Sequence, residues 1–228
     1  MTYLSHAIRF LIKELALTTG LYNQTLFNVY PFMYKPAQLI FLTECIKSVY
    51  NVPGSFVEAG CAYGATTVFL NKFMNDENME REYYVIDTFS GFKKEHVDYE
   101  VKRAEKSPAL QSRLLSSFSE NRKSWFDRTM ELHDVHLAKS IEKDISEFDF
   151  ATLAPIAFCL LDVDLYIPIR ASLPRIFAAM SPGGILIVDD CQPNELWDGA
   201  LQAYEEFIKE NGMPREIACD KLGIVRVP

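Results

Sequence analysis

The chain has 228 residues, 49% of them hydrophobic, which is enough to fill one large core, and its formal net charge is −8. It contains no long basic run, and this excludes the positive face that nucleic-acid phosphates need, so no nucleic-acid partner is predicted. No apolar stretch approaches the roughly 18 to 20 residues that span a bilayer, so no membrane partner is predicted either.

Residues 1–34 predict an amphipathic helical segment. The residues of its apolar face are Leu4, Ile8, Leu11, Ile12 and Leu15. Charged residues interrupt the apolar ones, which is not the pattern of a signal peptide. We expect this helix to pack on the domain or on a neighbouring subunit, which leaves a homo-oligomer open. Its polar face is not basic enough to favour a membrane-surface helix.

Residues 35–228 predict one domain in which helical and strand patterns alternate. "LIFLTECIKSV" is typical of a helix, "SFVEAG" of a first strand, "YGATTVFLNKFM" of a helix and "REYYVIDTF" of a second strand. A long polar segment follows at about residues 93–133. We interpret it as an insertion that closes over a binding site as a lid, or alternatively as an ordinary surface excursion.

The later part of the domain continues the alternation. "DVHLA" predicts a weak third strand, "IAFCLLDVD" a strong fourth and "GILIVDD" a fifth. The helix "IPIRASLPRIFAAM" contains Pro174, where we expect a kink or a break. After the helix "NELWDGALQAYEEFIKENG", the stretch "REIACDKLGIVRV" predicts a hairpin that turns near Asp220 and Lys221.

This order of elements predicts an α/β fold. Parallel strands need crossover connections, and these are usually helices, so we expect a mostly parallel sheet with helices on both faces. The closing hairpin adds antiparallel strands, which gives seven strands in all. In such sheets, ligands bind beyond the carboxyl ends of the strands.

The cysteines indicate where the protein works. They are five in number and far apart: Cys45, Cys61, Cys159, Cys191 and Cys219. Most of them fall in apolar segments, and an odd, dispersed set is typical of a reducing compartment. The predicted location is therefore the cytoplasm.

The first two strands are followed by residues that suit a nucleotide-like ligand. In "EAGCAYGA", Gly60 and Gly64 let backbone N–H groups approach a ligand closely. The dinucleotide fingerprint GxGxxG is absent because Ala62 fills its middle position. Asp87, at the end of the second strand, is placed to accept hydrogen bonds from ribose hydroxyls, or alternatively caps its own turn.

The fourth and fifth strands end in aspartates. If these strands end level, Asp162 lies close to Asp189 and Asp190, and three neighbouring carboxylates repel each other unless a cation lies among them. A hard divalent ion such as Mg²⁺ suits oxygen ligands of this kind. In the alternative interpretation, Asp190 caps the next helix and Asp189 points into solvent.

Four segments together resemble a known family: "GSFVEAGCAYGATTVFL", "VIDTFSGF", "LLDVDLYIPIRASLPRIFAAMSPGGILIVDD" and "WDGALQAYEEF". They look like class I S-adenosylmethionine-dependent methyltransferases, and within them the macrocin O-methyltransferase type, which methylates sugar hydroxyls of natural products. The resemblance implies a Rossmann-like fold, S-adenosylmethionine and Mg²⁺ as cofactors, and O-methylation of a sugar or glycosylated small molecule.

Carried over position by position, the resemblance also implies roles for individual residues. They are cofactor binding by Glu58, Gly60, Tyr63, Gly64, Asp87 and Asp162, magnesium binding by Asp162, Asp189 and Asp190, and general-base catalysis by Asp164. One departure from the family is Cys191, which follows the paired aspartates where a tyrosine is usual.

Three other functions stay open at this stage. A catechol-type O-methyltransferase acting on a vicinal aromatic diol shares the fold and the metal, although its last ligands resemble Asp-Asn. A non-catalytic domain that binds S-adenosylmethionine is a second alternative. A nucleotide-binding oxidoreductase is a third, and the missing glycine fingerprint disfavours it.

Overall fold

The computed structural model describes residues 8, 10–12, 14–15, 30–105, 107–193 and 198–228. These residues divide into two compact units, Met1–Met33 and Tyr34–Pro228. In the first unit, Ile8, Leu11, Ile12 and Leu15 are helical, as predicted, whereas Leu4 lies outside the described residues. The packing or oligomer role of this segment stays a prediction.

The second unit is built on one sheet of seven strands. They are β1 (Ser55–Ala59), β2 (Tyr83–Asp87), β3 (Ala138–Glu142), β4 (Ile156–Leu161), β5 (Met180–Val188), β6 (Glu216–Ala218) and β7 (Leu222–Arg226). Their order across the sheet is β3-β2-β1-β4-β5-β7-β6. The pairs among β1 to β5 are parallel, and β7 is antiparallel to both β5 and β6. The predicted seven-stranded, mostly parallel sheet with a closing hairpin is confirmed.

Helices connect and cover these strands. They are α1 (Pro36–Ser48), α2 (Ala65–Asp76), α3 (Lys94–Arg103), α4 (Pro108–Ser116), α5 (Lys123–Leu132), α6 (Tyr166–Ala179) and α7 (Asp198–Glu210), with a short 3₁₀ helix at Phe150–Leu153. The predicted insertion thus contains α3, α4 and α5. In the described part of the chain, no helix combines the length and apolar character needed to cross a membrane.

The centre of the sheet is buried on both faces. Every residue of β1 and β4 is buried, as expected for parallel strands that have helices on both sides. The rings of Phe56 and Phe158 meet edge to face at 5.8 Å between the two strands. Leu42, Leu70 and Ile176 complete a core in which each of these side chains is fully buried.

The order of the strands reverses between β1 and β4, and this creates a crevice at their carboxyl ends. Hydrogen bonding continues just past the strands and keeps their ends level. The N–H of Asp162 donates to the carbonyl of Ala59 at 2.8 Å. The N–H of Asp189 donates to the carbonyl of Leu161 at 2.9 Å. The residues that follow β1, β4 and β5 therefore share one edge.

Two elements differ from their predictions. The third strand does not cover "DVHLA": it begins at Ala138, because Asp134 has a φ of 53° and turns the chain after α5. Of the kink or break expected at Pro174, the break is absent, because α6 runs without interruption from Tyr166 to Ala179, and the kink stays a prediction. Pro174 lies on the exposed side of the helix, where water can bind the carbonyl that its missing N–H leaves unpaired.

The side chain of Tyr204 in α7 forms hydrogen bonds with the hairpin of β6 and β7. The Tyr204 ring is fully buried, and its hydroxyl lies 2.7 Å from the carbonyl oxygen of Glu216. The same hydroxyl accepts the N–H of Glu216 at 3.0 Å. This pairing fixes the start of the hairpin.

We expect Tyr204→Phe to lower the free energy of unfolding by about 1 to 3 kcal/mol, because it removes a hydroxyl that bonds the N–H of Glu216 and the carbonyls of Glu216 and Ile224. Urea unfolding measures the loss. The matched control is Tyr84→Phe, whose hydroxyl donates to the exposed carboxylate of Glu82 at 2.8 Å and should change stability by less than about 0.5 kcal/mol. Equal losses in the two variants would show that the hairpin does not depend on this contact.

Candidate active site

The three predicted magnesium ligands come together at the crevice, with two side chains from elsewhere in the chain. The Tyr34 hydroxyl donates to Asp162 Oδ2 at 2.8 Å. The Lys221 ammonium donates to Asp189 Oδ2 at 2.8 Å and to Asp190 Oδ1 at 3.1 Å. It also lies 4.8 Å from the centre of the Tyr34 ring. The chain thus supplies its own cation where sequence reasoning expected a metal.

The carboxylates of this cluster are held under electrostatic strain. Burial and the neighbouring Asp189 raise the pKa of Asp162 well above its ordinary value, although Lys221 opposes the shift. Burial, Asp162 and Asp190 raise the pKa of Asp164 in the same way. Burial and Asp190 raise the pKa of Asp189 to about 6. One ammonium therefore does not balance the charge of the cluster.

Lys221 stays charged in this environment. Burial opposes its charge, but the carboxylates of Asp189 and Asp190 more than offset that effect and raise its pKa above the ordinary value. Its side chain is only 14% exposed, and that of Asp189 only 5%. The pair is consequently an internal one, and the alternative in which Asp189 points into solvent is wrong.

The donor atoms of the cluster suit a hard divalent ion. Asp162, Asp189 and Asp190 offer carboxylate oxygens, the ligand type that Mg²⁺ prefers. Asp189 Oδ1 is buried and lacks a hydrogen-bond partner in the part of the chain that the structure describes. This oxygen can therefore still bind a cation or accept a hydrogen bond. As arranged, however, no three His, Cys, Asp or Glu side chains among the described residues form a metal-binding group. Lys221 lies between two of the donors.

Asp164, the predicted base, lies on a sharp turn after β4. Its φ is 62°, a left-handed conformation that costs an aspartate about 1 kcal/mol. Leu165 donates its N–H to the carbonyl of Val163 at 2.6 Å, which tightens the turn. Strained backbone of this kind is typical of functional sites. The turn sends Asp162 and Asp164, two residues apart, into the same cluster.

The glycines after β1 allow the chain to pass close to its neighbours. Gly60 has a φ of 90°, and a Cβ there would lie 1.8 Å from the carbonyl oxygen of Asp162. Gly64 has a φ of 83°, and a Cβ there would lie 2.8 Å from Phe126 and Met130 of α5. Tyr63, between the two glycines, is 48% exposed. The loop is therefore compact, with one aromatic side chain on its surface.

Asp87 holds that loop in place. Its Oδ2 accepts the N–H of Cys61 at 2.9 Å and that of Ala62 at 3.3 Å. Its Oδ1 accepts the N–H of Phe89 at 2.7 Å, so the alternative in which Asp87 caps its own turn is realised. These bonds join the ends of β1 and β2. The ribose contact stays a prediction.

Glu58 lies apart from the other carboxylates. It is 1% exposed, and its Oε2 accepts hydrogen bonds from Thr67 of α2 at 2.7 Å and from Tyr83 of β2 at 2.9 Å. Burial raises its pKa to about 7, although these two bonds oppose the shift. Glu58 thus links β1 to α2 and to β2. Its contact with the cofactor stays a prediction.

The insertion is anchored beside Asp164. Glu100 of α3 is fully buried, accepts the backbone N–H of Tyr166 at 3.1 Å and pairs with Arg103 at 2.6 Å. The ring of Tyr99 stacks on that of Tyr166, with 5.6 Å between centres. Helix α3 therefore fixes the first residue of α6, two positions beyond the predicted base.

The insertion also reaches the glycine loop. The Asn121 amide donates to the carbonyl of Ala62 at 2.6 Å, and Phe126 packs on Phe89 with 5.3 Å between ring centres. The insertion thus contacts the loop that follows β1, and its role as a lid stays a prediction.

Sequence reasoning missed Tyr34 and Lys221. A lysine in a hairpin turn is usually exposed, and only the pairing of β7 with β5 changes that expectation. Val188 pairs with Gly223 in antiparallel register, which carries Lys221 level with Asp190. The position of Lys221 could have been inferred from the predicted turn and the predicted sheet, but only if the strand that pairs with β5 had been known. Tyr34 precedes α1, and nothing in its sequence context signals Asp162.

A sequence profile of the macrocin-O-methyltransferase (TylF) family matches residues 32–225. The chain belongs to the macrocin-O-methyltransferase family. Its membership confirms the resemblance carried by the four quoted segments and identifies the chain as a member of an enzyme family. The matched range includes the glycine loop, all the predicted site aspartates and Lys221.

Individual proteins agree with this assignment. A relative from Streptomyces olivaceus, 8-demethyl-8-(2,3-dimethoxy-alpha-L-rhamnosyl)-tetracenomycin-C 4'-O-methyltransferase, is 28% identical over 153 residues. The match covers 65% of this chain and 58% of that protein, so the chain spans less than two thirds of the length of this relative.

Solved structures confirm the fold of this macrocin-O-methyltransferase family member. The O-methyltransferase NovP superposes with a TM-score of 0.73 at 18% identity, over 97% of this chain and 98% of that one. The calicheamicin methyltransferase CalS11 gives 0.69 at 19% identity, over 99% and 94% of the two chains. The predicted Rossmann-like methyltransferase architecture is therefore confirmed.

Glu58 offers a test of the electrostatics through pH. Its folded pKa of about 7 exceeds the ordinary value near 4.3, so the folded state binds a proton that the unfolded state has lost. The free energy of unfolding of the wild type therefore decreases as the pH rises from about 5 to 8. We expect the stability advantage of Glu58→Gln over the ligand-free wild type to grow by roughly 2 to 3 kcal/mol across this range.

The control for this measurement is Glu82→Gln. Glu82 is exposed, and Lys139 lowers its pKa, so its removal should give no advantage that grows with pH. Urea unfolding at several pH values provides the data for all three proteins. A pH-independent difference between Glu58→Gln and wild type would contradict the buried, raised carboxyl.

Proposed function

We propose that this protein is an S-adenosylmethionine-dependent, Mg²⁺-dependent O-methyltransferase that methylates a hydroxyl of a sugar or glycosylated small molecule. The observation that carries the proposal is a cluster of four aspartates beside a compact glycine loop, in a chain that matches the macrocin-O-methyltransferase family over residues 32–225. The relative from Streptomyces olivaceus is named for methylation of a rhamnosyl group, which supports a sugar acceptor in natural-product biosynthesis.

The cofactor fits the crevice end of β1. When bound, S-adenosylmethionine supplies an activated methyl group on a sulfonium. Gly60 and Gly64 give the loop after β1 its compact shape, because a Cβ at either position would clash with neighbouring protein atoms, and the proposed cofactor site lies at this loop and the start of α2. Asp87 fixes this loop through three of the roughly four lone pairs of its carboxylate, which leaves one on Oδ1 for a ribose hydroxyl of the proposed cofactor. Tyr63 and Glu58 complete the proposed methionine end.

The metal fits the cluster by donor chemistry. Asp162, Asp189 and Asp190 would hold Mg²⁺, and the unpartnered Asp189 Oδ1 supports this assignment. When bound, the ion supplies a Lewis acid that orients and acidifies hydroxyl groups. The surplus negative charge left by one ammonium favours a dication at this position.

Asp164 is the proposed general base. Methyl transfer to an alcohol oxygen requires removal of the hydroxyl proton, which would move to the Asp164 carboxylate. Burial raises the pKa of Asp164, and this makes the ionised carboxylate a stronger base than an exposed aspartate. Glu100 holds the N–H of Tyr166 and so keeps the turn that carries Asp164 in place. Alignment of the reactants by such a rigid site contributes more than the base itself.

The insertion is the segment that we propose covers the methyl acceptor. Glu100 of α3 binds the N–H of Tyr166 beside the Asp164 turn, and Asn121, just before α5, binds the glycine loop, so the insertion is placed to exclude water from the reacting atoms. The stacked rings of Tyr99 and Tyr166 offer an apolar wall at this edge. The catechol-type alternative has less support, since the second residue of the final pair is Asp190 and not an asparagine.

Calorimetric titration tests cofactor use. We expect S-adenosylmethionine and S-adenosylhomocysteine to bind with micromolar dissociation constants, and glycosylated natural products to be methylated when Mg²⁺ is added. Mass spectrometry detects the methylated product. If neither cofactor form binds, the methyltransferase proposal fails and the scaffold and oxidoreductase alternatives return.

Asp164→Asn tests the base. We expect kcat to fall about 10² to 10⁴-fold, because a positioned base contributes a factor of that size, while S-adenosylhomocysteine affinity changes less than about twofold. The matched control is Asp134→Asn, since Asp134 is also left-handed, with a φ of 53°, and follows α5 outside the cluster. Unchanged kcat in Asp164→Asn would remove Asp164 from the reaction.

A further inference from the structure

We propose that Lys221 is an internal competitor for the divalent ion, so that its ammonium pairs with Asp189 and Asp190 in the metal-free enzyme and must leave them before the ion binds. The inference rests on the magnesium site of the proposed function. It assigns to one residue of the β6–β7 hairpin control over how tightly that site holds metal.

The first step is position. Lys221 Nζ lies 2.8 Å from Asp189 Oδ2 and 3.1 Å from Asp190 Oδ1, which are two of the three proposed metal ligands. A magnesium ion bound to the same carboxylates at about 2.0 to 2.1 Å from each oxygen needs the space that the ammonium fills. The two cations therefore compete for the same two carboxylate groups.

The second step is charge. Lys221 carries one positive charge, and the cluster around it contains Asp162, Asp164, Asp189 and Asp190. Asp189 Oδ1 is buried and unpartnered within the described residues, so the ammonium does not satisfy even the carboxylate that it contacts most closely. A dication with several coordination positions can satisfy that oxygen, and this makes exchange of the lysine for the ion favourable.

The third step is how the lysine can leave. The backbone of Lys221 is fixed, since its carbonyl accepts the N–H of Cys191 at 2.7 Å. Its side chain has four rotatable bonds and reaches the cluster from the turn between β6 and β7. Rotation of the side chain is enough to free the carboxylates, while the hairpin and Tyr204 keep their places. The ring of Tyr34, 4.8 Å from the ammonium, adds a modest cation–π attraction that opposes release.

Calorimetric titration of MgCl₂ and MnCl₂ into the full chain tests the competition. We expect Lys221→Met and Lys221→Gln to bind each ion at least about tenfold more tightly than wild type, and Lys221→Arg to bind no more tightly. The two neutral variants guard against a folding defect in one of them, and thermal unfolding with S-adenosylhomocysteine shows which are folded. Lys139→Met, which removes an exposed ammonium paired with Glu82, should match wild type within about twofold.

A second measurement separates displacement from simple loss of a nearby positive charge. In crystals of the wild type grown with MnCl₂, the anomalous signal locates the ion, and Lys221 Nζ should lie beyond about 4 Å from Asp189 and Asp190. Manganese bound with the ammonium still in place would overturn the inference. So would equal affinities of wild type and both folded neutral variants.

Failure of the proposed metal site would look different. If no variant and no wild-type sample binds either ion, although S-adenosylhomocysteine binds, the magnesium requirement is wrong and the inference falls with it. If the wild type binds metal but the neutral variants gain nothing, only the role of Lys221 is wrong. The two failures are therefore distinguishable in one set of titrations.

Discussion

Negative charge buried at one edge of the sheet is the constraint on which the rest of the structure depends. β1, β4 and β5 end level because their hydrogen-bond ladders continue one residue past each strand, and two of them end in aspartates. Parallel pairing thus forces like charges together in a site with little water. Tyr34, Lys221 and the insertion all approach this edge from distant parts of the chain, and each contributes a donor, a charge or a cover.

Most of the fold and the positions of the site aspartates could be predicted from the sequence. Alternating strand and helix patterns predict a parallel sheet, and in a parallel sheet the residues after each strand share an edge, so Asp162 and Asp189 could be paired without coordinates. Contacts between remote segments were not predictable in this way. Glu100 and Lys221 look like ordinary polar residues of a helix and a turn, and their partners lie 66 and 32 residues away.

Local sequence patterns also led to a wrong prediction for β3, which lies at the edge of the sheet. β3 reads "AKSIE", with no residue fully buried, because it is an edge strand exposed along its length. The more apolar "DVHLA" just before it looked like the better strand, yet Val135 is buried as part of the turn after α5. Apolar content therefore located the core well and the edge poorly.

The unneutralised carboxylates have a consequence for the life of the protein in a cell. Burial and mutual repulsion raise the pKa values of Asp162, Asp164 and Asp189, so ionisation of these carboxyl groups lowers the stability of the empty enzyme, and any ligand that binds only the folded state restores it. Proteases remove chains in proportion to how often they open. The amount of this enzyme should accordingly follow the supply of its ligands, with chains that carry none degraded first.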